Sequence, residues 1–231
     1  MDMGSCYLGS ATGLESKTEI INMSGIRLVN EIDKIYSENL SIKDFSKSYL
    51  KYVSSVIENI SLDEIERFVN SLLDARDRGS AVYFIGNGGS AATASHFAND
   101  IAIGTRLFDK PFRVMSLCDN QAVITAIAND DGYDQVFSRQ LGVLLQKDDV
   151  VVAISASGNS ENLLRAIETA RQKGAISVGL TAFDGGQLRS IVDVSVHVPT
   201  NKGEYGPAED GHMVLDHLVG SYLIRFVKEK N

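Results

Sequence analysis

The sequence is poor in cysteine, in basic charge and in long apolar runs, and each shortage removes a class of protein. Cys6 and Cys118 are the only cysteines among 231 residues. Two thiols so far apart make no disulfide framework and suit a reducing compartment. Twenty-two basic residues against 30 acidic ones leave a net charge of −8, which argues against a general nucleic-acid binder. The same balance means that an anionic ligand gains nothing from the overall field and must be held by local donors. No apolar run approaches the roughly 20 residues of a membrane helix. The first residues also lack the basic, apolar, then small-residue order of a signal peptide. The expectation is a cytoplasmic protein with no membrane and no nucleic-acid partner. Its length and 44% hydrophobic content allow one sizeable core.

Residues 1–18 are rich in Gly, Ser and Thr without periodicity and are expected to be disordered. Residues 19–231 read as one domain. Apolar residues at Ile21, Leu28, Val29, Ile32 and Ile35 predict a helix from Ile20 to about Ser37, weakened by Gly25. A stronger stripe, Phe45, Tyr49, Val53, Ile57 and Ile60, predicts a second helix. Ser61 with Glu64 reads as a capping box opening a third. Then strands and helices alternate. Strands are expected at 81–85, 113–117, 150–154, 176–181 and 194–199, with helices at 90–103, 120–128, 137–145, 161–170 and 207–227. Such alternation with short links makes a parallel sheet covered by helices on both faces, a three-layer α/β sandwich behind leading N-terminal helices.

Two strand-to-helix loops carry the chemistry. The apolar run ending at Ile154 breaks into Ser155-Ala-Ser-Gly-Asn-Ser160 and then a helix. A helix N-terminus offers unpaired N–H groups and the positive end of its dipole to an anion. Ser155, Ser157 and Ser160 add hydroxyls, and Gly158 lets backbone approach closely. The loop has no Lys and no Walker pattern, so it is not an ATP-type P-loop; it suits one compact phosphate. The plainer reading is a βα turn with Ser160 as N-cap. The second loop, Gly86-Asn-Gly-Gly-Ser90, could turn the backbone N–H groups of Gly88, Gly89 and Ser90 toward a substrate. With Ala91 and with Asp119 after the next strand, it also matches a loose dinucleotide fingerprint. That reading leaves the serine loop unexplained, so no nucleotide cofactor is expected.

His96 and Asp100 lie four apart on one helix face. On the last helix, Glu209, His212, Asp216 and His217 form a dense polar set. Glu209 and His217 lie roughly 80° apart around that helix, so they converge only on a site between those directions. Imidazoles with carboxylates suit zinc or a similar ion, and equally suit metal-free acid-base work. For His212 and Asp216 a solvated helix face is an equal alternative. Asp130, Asp131 and Asp134 are read as a solvated loop.

The Gly86–Ser90 loop with His96-Phe-Ala, the Ser155–Ser160 loop and the terminal Glu209…His217 helix together resemble the sugar isomerase (SIS) domain. Within that group they resemble the phosphoheptose isomerase family. The likeness spans about residues 40–228. It implies a flavodoxin-like five-stranded parallel sheet, a homotetramer with interfacial active sites, and ketose-aldose isomerisation of sedoheptulose 7-phosphate through an enediol. It further implies that Ser155, Ser157 and Ser160 hold the phosphate, that Asn87 and Ser90 face the sugar, and that Asp100 and His217 form the acid-base pair. Some members bind zinc, one ion per site, at the positions of His96, Asp100, Glu209 and His217. Asp100 stands where the family has Glu, and Glu209 where it has Gln. An Arg of the family falls near Gly104, with Arg106 close by, and an acidic residue falls on Gly206, with Glu204 close by. Two alternatives stay in view: a non-catalytic sugar-phosphate-binding regulator on the same fold, and an isomerase of another phosphosugar.

Overall fold

The computed structural model describes residues 30–39, 41–106 and 108–229, with the backbone of residues 20–21 and 27–28. The disorder expected for residues 1–18 lies outside the described residues. Five strands, β1 (Ala81–Gly86), β2 (Arg113–Ser116), β3 (Val150–Ser155), β4 (Ile176–Ala182) and β5 (Val194–Val198), form one parallel sheet in the order β2-β1-β3-β4-β5. This is the flavodoxin-like order, and its direction reverses between β1 and β3. The helices are α1 (Glu31–Glu38), α2 (Ile42–Glu58), α3 (Leu62–Arg78), α4 (Gly89–Ala102), α5 (Gln121–Asp130), α6 (Val136–Leu144), α7 (Glu161–Gln172), α8 (Gly186–Ile191) and α9 (Tyr205–Glu229).

The sheet's period of two divides the core. Val82, Phe84, Val152, Ile154, Val178 and Leu180 face α3, α4 and α9, where they pack on Phe68, Leu72, Phe97, Ile101, Leu215 and Val219. Tyr83, Ile85, Val151 and Ala153 face the opposite way, onto Phe137, Leu141, Leu163, Ile167 and Leu188 of α6, α7 and α8. Phe97 stacks on Phe84 with centroids 4.9 Å apart, which seats α4 on the sheet and sets the direction of its neighbour His96. Buried strands on both faces explain why β1 and β3 read as unbroken apolar runs.

The N-terminal reading needs correction. The helix begins only at Glu31, where the Asn30 side chain accepts from the Asp33 N–H at 3.1 Å. Ile20–Ile21 and Arg27–Leu28 instead pair as short antiparallel strands, so Ile20, Ile21 and Leu28 belong to extended chain. At α3 only half of the capping box forms. Ser61 accepts from Glu64 N–H, while the Glu64 carboxylate accepts from His197 N–H at 2.9 Å. Glu204, next to the family's acidic position, is buried and saturated. It accepts from the Glu31 and Asn201 N–H groups, both at 2.8 Å, and from the Tyr52 hydroxyl at 2.5 Å. It fastens the start of α9 to α1 and α2 and has no oxygen left for a substrate. Among the described residues, no helix is long and apolar enough to cross a membrane.

Candidate active site

Ligands of open α/β sheets sit beyond the strand C-termini where the strand order reverses. Here that point lies between the loops after β1 and β3, the two singled out from sequence. They enclose a cleft of about 150 Å³ lined by Asn87, Ser90, Ser155, Ser157, Ser160, Tyr205 and Glu209. Ser155 Oγ accepts from Gly158 N–H at 3.0 Å, and Ser157 Oγ from Asn159 N–H at 3.4 Å. A hydroxyl that accepts keeps its own proton to donate, so both can still serve an anion. Ser160 occupies the N-cap of α7 but makes no capping bond. Its hydroxyl is therefore not spent on the helix, which counts against the plain N-cap reading. Asn87 is held from three sides: it exchanges amide bonds with Asn162 at 2.9 and 2.8 Å and accepts from the Tyr133 hydroxyl at 2.9 Å.

Gly158 is required twice over. Its φ is +64°, and a Cβ there would collide with the Gly185 carbonyl. The turn at Gly185–Gly186 backs the loop further: Leu188 N–H donates to Gly158 O at 2.9 Å, and Gln187 N–H to the Asn159 side chain at 3.1 Å. The short helix α8 that follows was not foreseen; it is the buttress of the serine loop.

Helices α4 and α9 run side by side in the same direction and in register. The Glu209 carboxylate lies against Gly89, the Asp216 carboxylate lies 3.8 Å from His96 Nδ1, and Asp100 lies over Gly220. Each pair is offset by the same 120 positions, so the contact repeats every two turns, then one. Seven residues of helix are roughly 10 Å, and a second polar centre lies that far from the cleft. There His96, Asp100, Asp216 and His217 offer ligand atoms all within 4.8 Å of one another. His96 Nε2 is 3.6 Å from Asp100 Oδ1, and the His96 and His217 rings meet edge-on at 5.1 Å.

This centre is graded in exposure: Asp216 is sealed, His96 and Asp100 are half-buried, and His217 is open. Burial, then the charge of Asp100, push the Asp216 carboxyl up to about 7, against the pull of His217. Neither Asp216 oxygen has a hydrogen-bond partner.

The structure therefore gathers His96, Asp100 and His217 as the sequence suggested, but it does not bring Glu209 to them. Glu209 sits in the serine cleft, and Asp216 stands in the cluster. The alternative of a solvated face for His212 and Asp216 is overturned, because both are fully buried. The signal for Asp216 was its position seven residues after Glu209, two turns along the same face. Asp119 stands apart at the β2 edge, where it accepts from Ser95. Asp131 and Asp134 pair with Arg139 and Arg165 at 2.8 and 3.0 Å, as a solvated loop should.

His212 is one turn from both Glu209 and Asp216. Its Nε2 meets the Thr181 carbonyl at 3.3 Å, pinning α9 to the end of β4. Burial lowers its pKa from 6.5 to about 4, so the folded chain binds this proton less readily than the unfolded chain. Stability from this group is complete above pH 6.5 and is lost as pH falls toward 4. We expect the thermal midpoint of wild type to drop over that window. A His212→Gln variant, which keeps a donor for Thr181 without titrating, should show a flatter profile; parallel profiles would contradict the assignment.

Paired polar loops at the reversal of a parallel sheet, with imidazoles and carboxylates on two in-register helices, define an α/β ligand-binding domain of flavodoxin-like topology. The chain belongs to the SIS domain family, whose model matches residues 45–182. It is 34% identical over 184 residues to the phosphoheptose isomerase of Aneurinibacillus thermoaerophilus, covering 77% of this chain and 91% of that protein. It is 38% identical over 167 residues to that of Geobacter metallireducens, covering 72% and 87%. The solved phosphoheptose isomerase of Neisseria gonorrhoeae superposes with a TM-score of 0.71 at 26% identity, over 79% of this chain and 98% of the other.

Proposed function

We propose that the chain is a phosphoheptose isomerase that converts sedoheptulose 7-phosphate to D-glycero-D-manno-heptose 7-phosphate, supplying heptose for surface polysaccharide. The carrying observation is the register of α4 and α9. It sets Ser90 and Glu209 against the phosphate-sized serine cleft at one end and the imidazoles and carboxylates of the second centre roughly 10 Å away at the other. That span is of the order of an extended open-chain heptose.

In this reading Ser155, Ser157, Ser160 and the α7 N-terminus grip the phosphate, fixing the far end of the substrate. Asn87 and Ser90 meet the hydroxyls nearest the phosphate. Gly88 and Gly89 allow that approach at the start of α4, and Glu209 accepts from a sugar hydroxyl across the cleft. The carbonyl end reaches Asp100 and His217, the latter the most exposed member of the second centre. One of the two removes a proton from the carbon beside the carbonyl, and the other delivers a proton to the carbonyl oxygen. The resulting enediol loses its other hydroxyl proton and gains one on the neighbouring carbon, which leaves the aldose.

The donor set fits a divalent cation, since two imidazoles and two carboxylates converge and one carboxylate is sealed without a partner. His96, Asp100 and His217 would hold a zinc ion, one per site, and such an ion supplies Lewis-acid polarisation of the substrate oxygens. We further assign a cytoplasmic homotetramer with interfacial active sites. In support, no residue of the apolar helix α5 is buried, and Val123 and Ile127 line an open groove with Met115 and Val143.

Incubating the zinc-loaded protein with sedoheptulose 7-phosphate and following the aldehyde product by NMR tests the reading. Net conversion to the aldose is expected. Retained binding with no turnover would replace the enzyme by a sugar-phosphate-binding regulator, and faster turnover of a pentulose or hexulose phosphate would replace the substrate.

A further inference from the structure

We propose that Asp216, and not Glu209, completes the metal-binding set, and that the bound ion is what makes the burial of Asp216 tolerable. The inference rests on the zinc reading above and concerns this chain's own ligands. Three observations carry it. Asp216 is fully buried with both carboxylate oxygens unpartnered. An ionised group in that state is strongly unfavourable unless a counter-charge meets it. Among the described residues, the ligand-type neighbours the structure gives it are the members of one cluster: His96 at 3.8 Å, with Asp100 and His217 inside the same 4.8 Å group. Asp100 is a second acid and worsens its position.

Glu209, by contrast, already has a place. It lies against Gly89 at the positive end of α4 and lines the serine cleft, where a helix N-terminus stabilises a carboxylate. Two carboxylates and two neutral imidazoles also balance a doubly charged ion, whereas adding Glu209 would leave an excess negative charge. Asp216 is the sealed member of the set and His217 the exposed one, with His96 and Asp100 between them, so the centre can take an ion through Asp216 and still present His217 to a substrate.

The test compares full-length wild type, Asp216→Asn and Glu209→Gln after removal of metal by chelator. Zinc affinity is read by calorimetry, cobalt(II) coordination by its visible absorption, and metal-free stability by thermal unfolding. Wild type should bind one ion per chain. Asp216→Asn should weaken binding by at least about 10-fold and alter the cobalt spectrum. Glu209→Gln should stay within about 3-fold with an unaltered spectrum. A loss in Glu209→Gln equal to or larger than that in Asp216→Asn would overturn the proposal, as would an Asp216→Asn variant that binds like wild type. Wild type that binds no zinc would remove the metal reading itself, whereas turnover without zinc would leave the isomerase assignment standing. Should the Asn variant not fold, the anomalous signal of zinc in wild-type crystals decides. An Asp216 oxygen at about 2.0–2.2 Å supports the assignment, and a Glu209 oxygen there sinks it.

Discussion

His217→Ala should lower kcat by about 1,000-fold, within the range that a positioned acid or base contributes, while KM for the phosphosugar changes only a few-fold. The split follows from the architecture. His217 is the most exposed member of the α4–α9 centre, two turns beyond Glu209, and it does not line the serine cleft. Under the proposed mechanism its removal takes away a proton carrier and leaves the serine loop, the proposed phosphate grip, unchanged. Steady-state kinetics by NMR, with metal content measured on the same sample, separates the two effects. Unchanged turnover in a zinc-loaded variant would eliminate His217 as a proton carrier. A large rise in KM with kcat preserved would move it from the chemistry to substrate docking.

Gly158→Ala should lower kcat/KM by about 100-fold and destabilise the fold by about 2 kcal/mol. The left-handed conformation alone costs a residue with a Cβ roughly 1–2 kcal/mol. The collision with the Gly185 carbonyl adds to that, because a backbone oxygen does not swing aside like a flexible side chain. Either the serine loop or the α8 turn must move, and both are tied by the Leu188 to Gly158 hydrogen bond. Displacing the loop by about 1 Å misplaces the phosphate, and binding energy spent at that remote end is what aligns the reacting carbons. Kinetics and thermal unfolding of the same preparation check both halves. An alanine variant with wild-type kcat/KM would show that the phosphate is held elsewhere.

Much of this fold is legible in the chain because its sheet is buried on both sides. Val150 to Ile154 can be little else than an interior strand, and hydroxyl residues following it can only cap or bind. The helix pairing was not legible. Helix α9 carries Glu209, His212, Asp216 and His217 on faces that a periodicity argument treats as wet, yet His212 and Asp216 are sealed between the sheet and α4. Burial of polar groups is a tertiary event with no local signature. That Glu209 lies in the serine cleft and Asp216 beside His96 was hidden for the same reason: spacing along one helix says nothing about where the neighbouring helix begins. The Ile20–Ser37 segment was misread because alternating apolar residues before Asn30 satisfy two periods equally well over so short a stretch.

In this all-parallel sheet the strand order changes sense between β1 and β3. That change sends α4 to one side of the sheet and α7 to the other, so the serine loop that leads into α7 and the His96–His217 centre on α4 and α9 rest on separate hydrophobic supports. Changes in one layer need not propagate to the other. A scaffold wired this way can keep its handle for phosphorylated compounds while its reactive face is retooled for a different carbon skeleton.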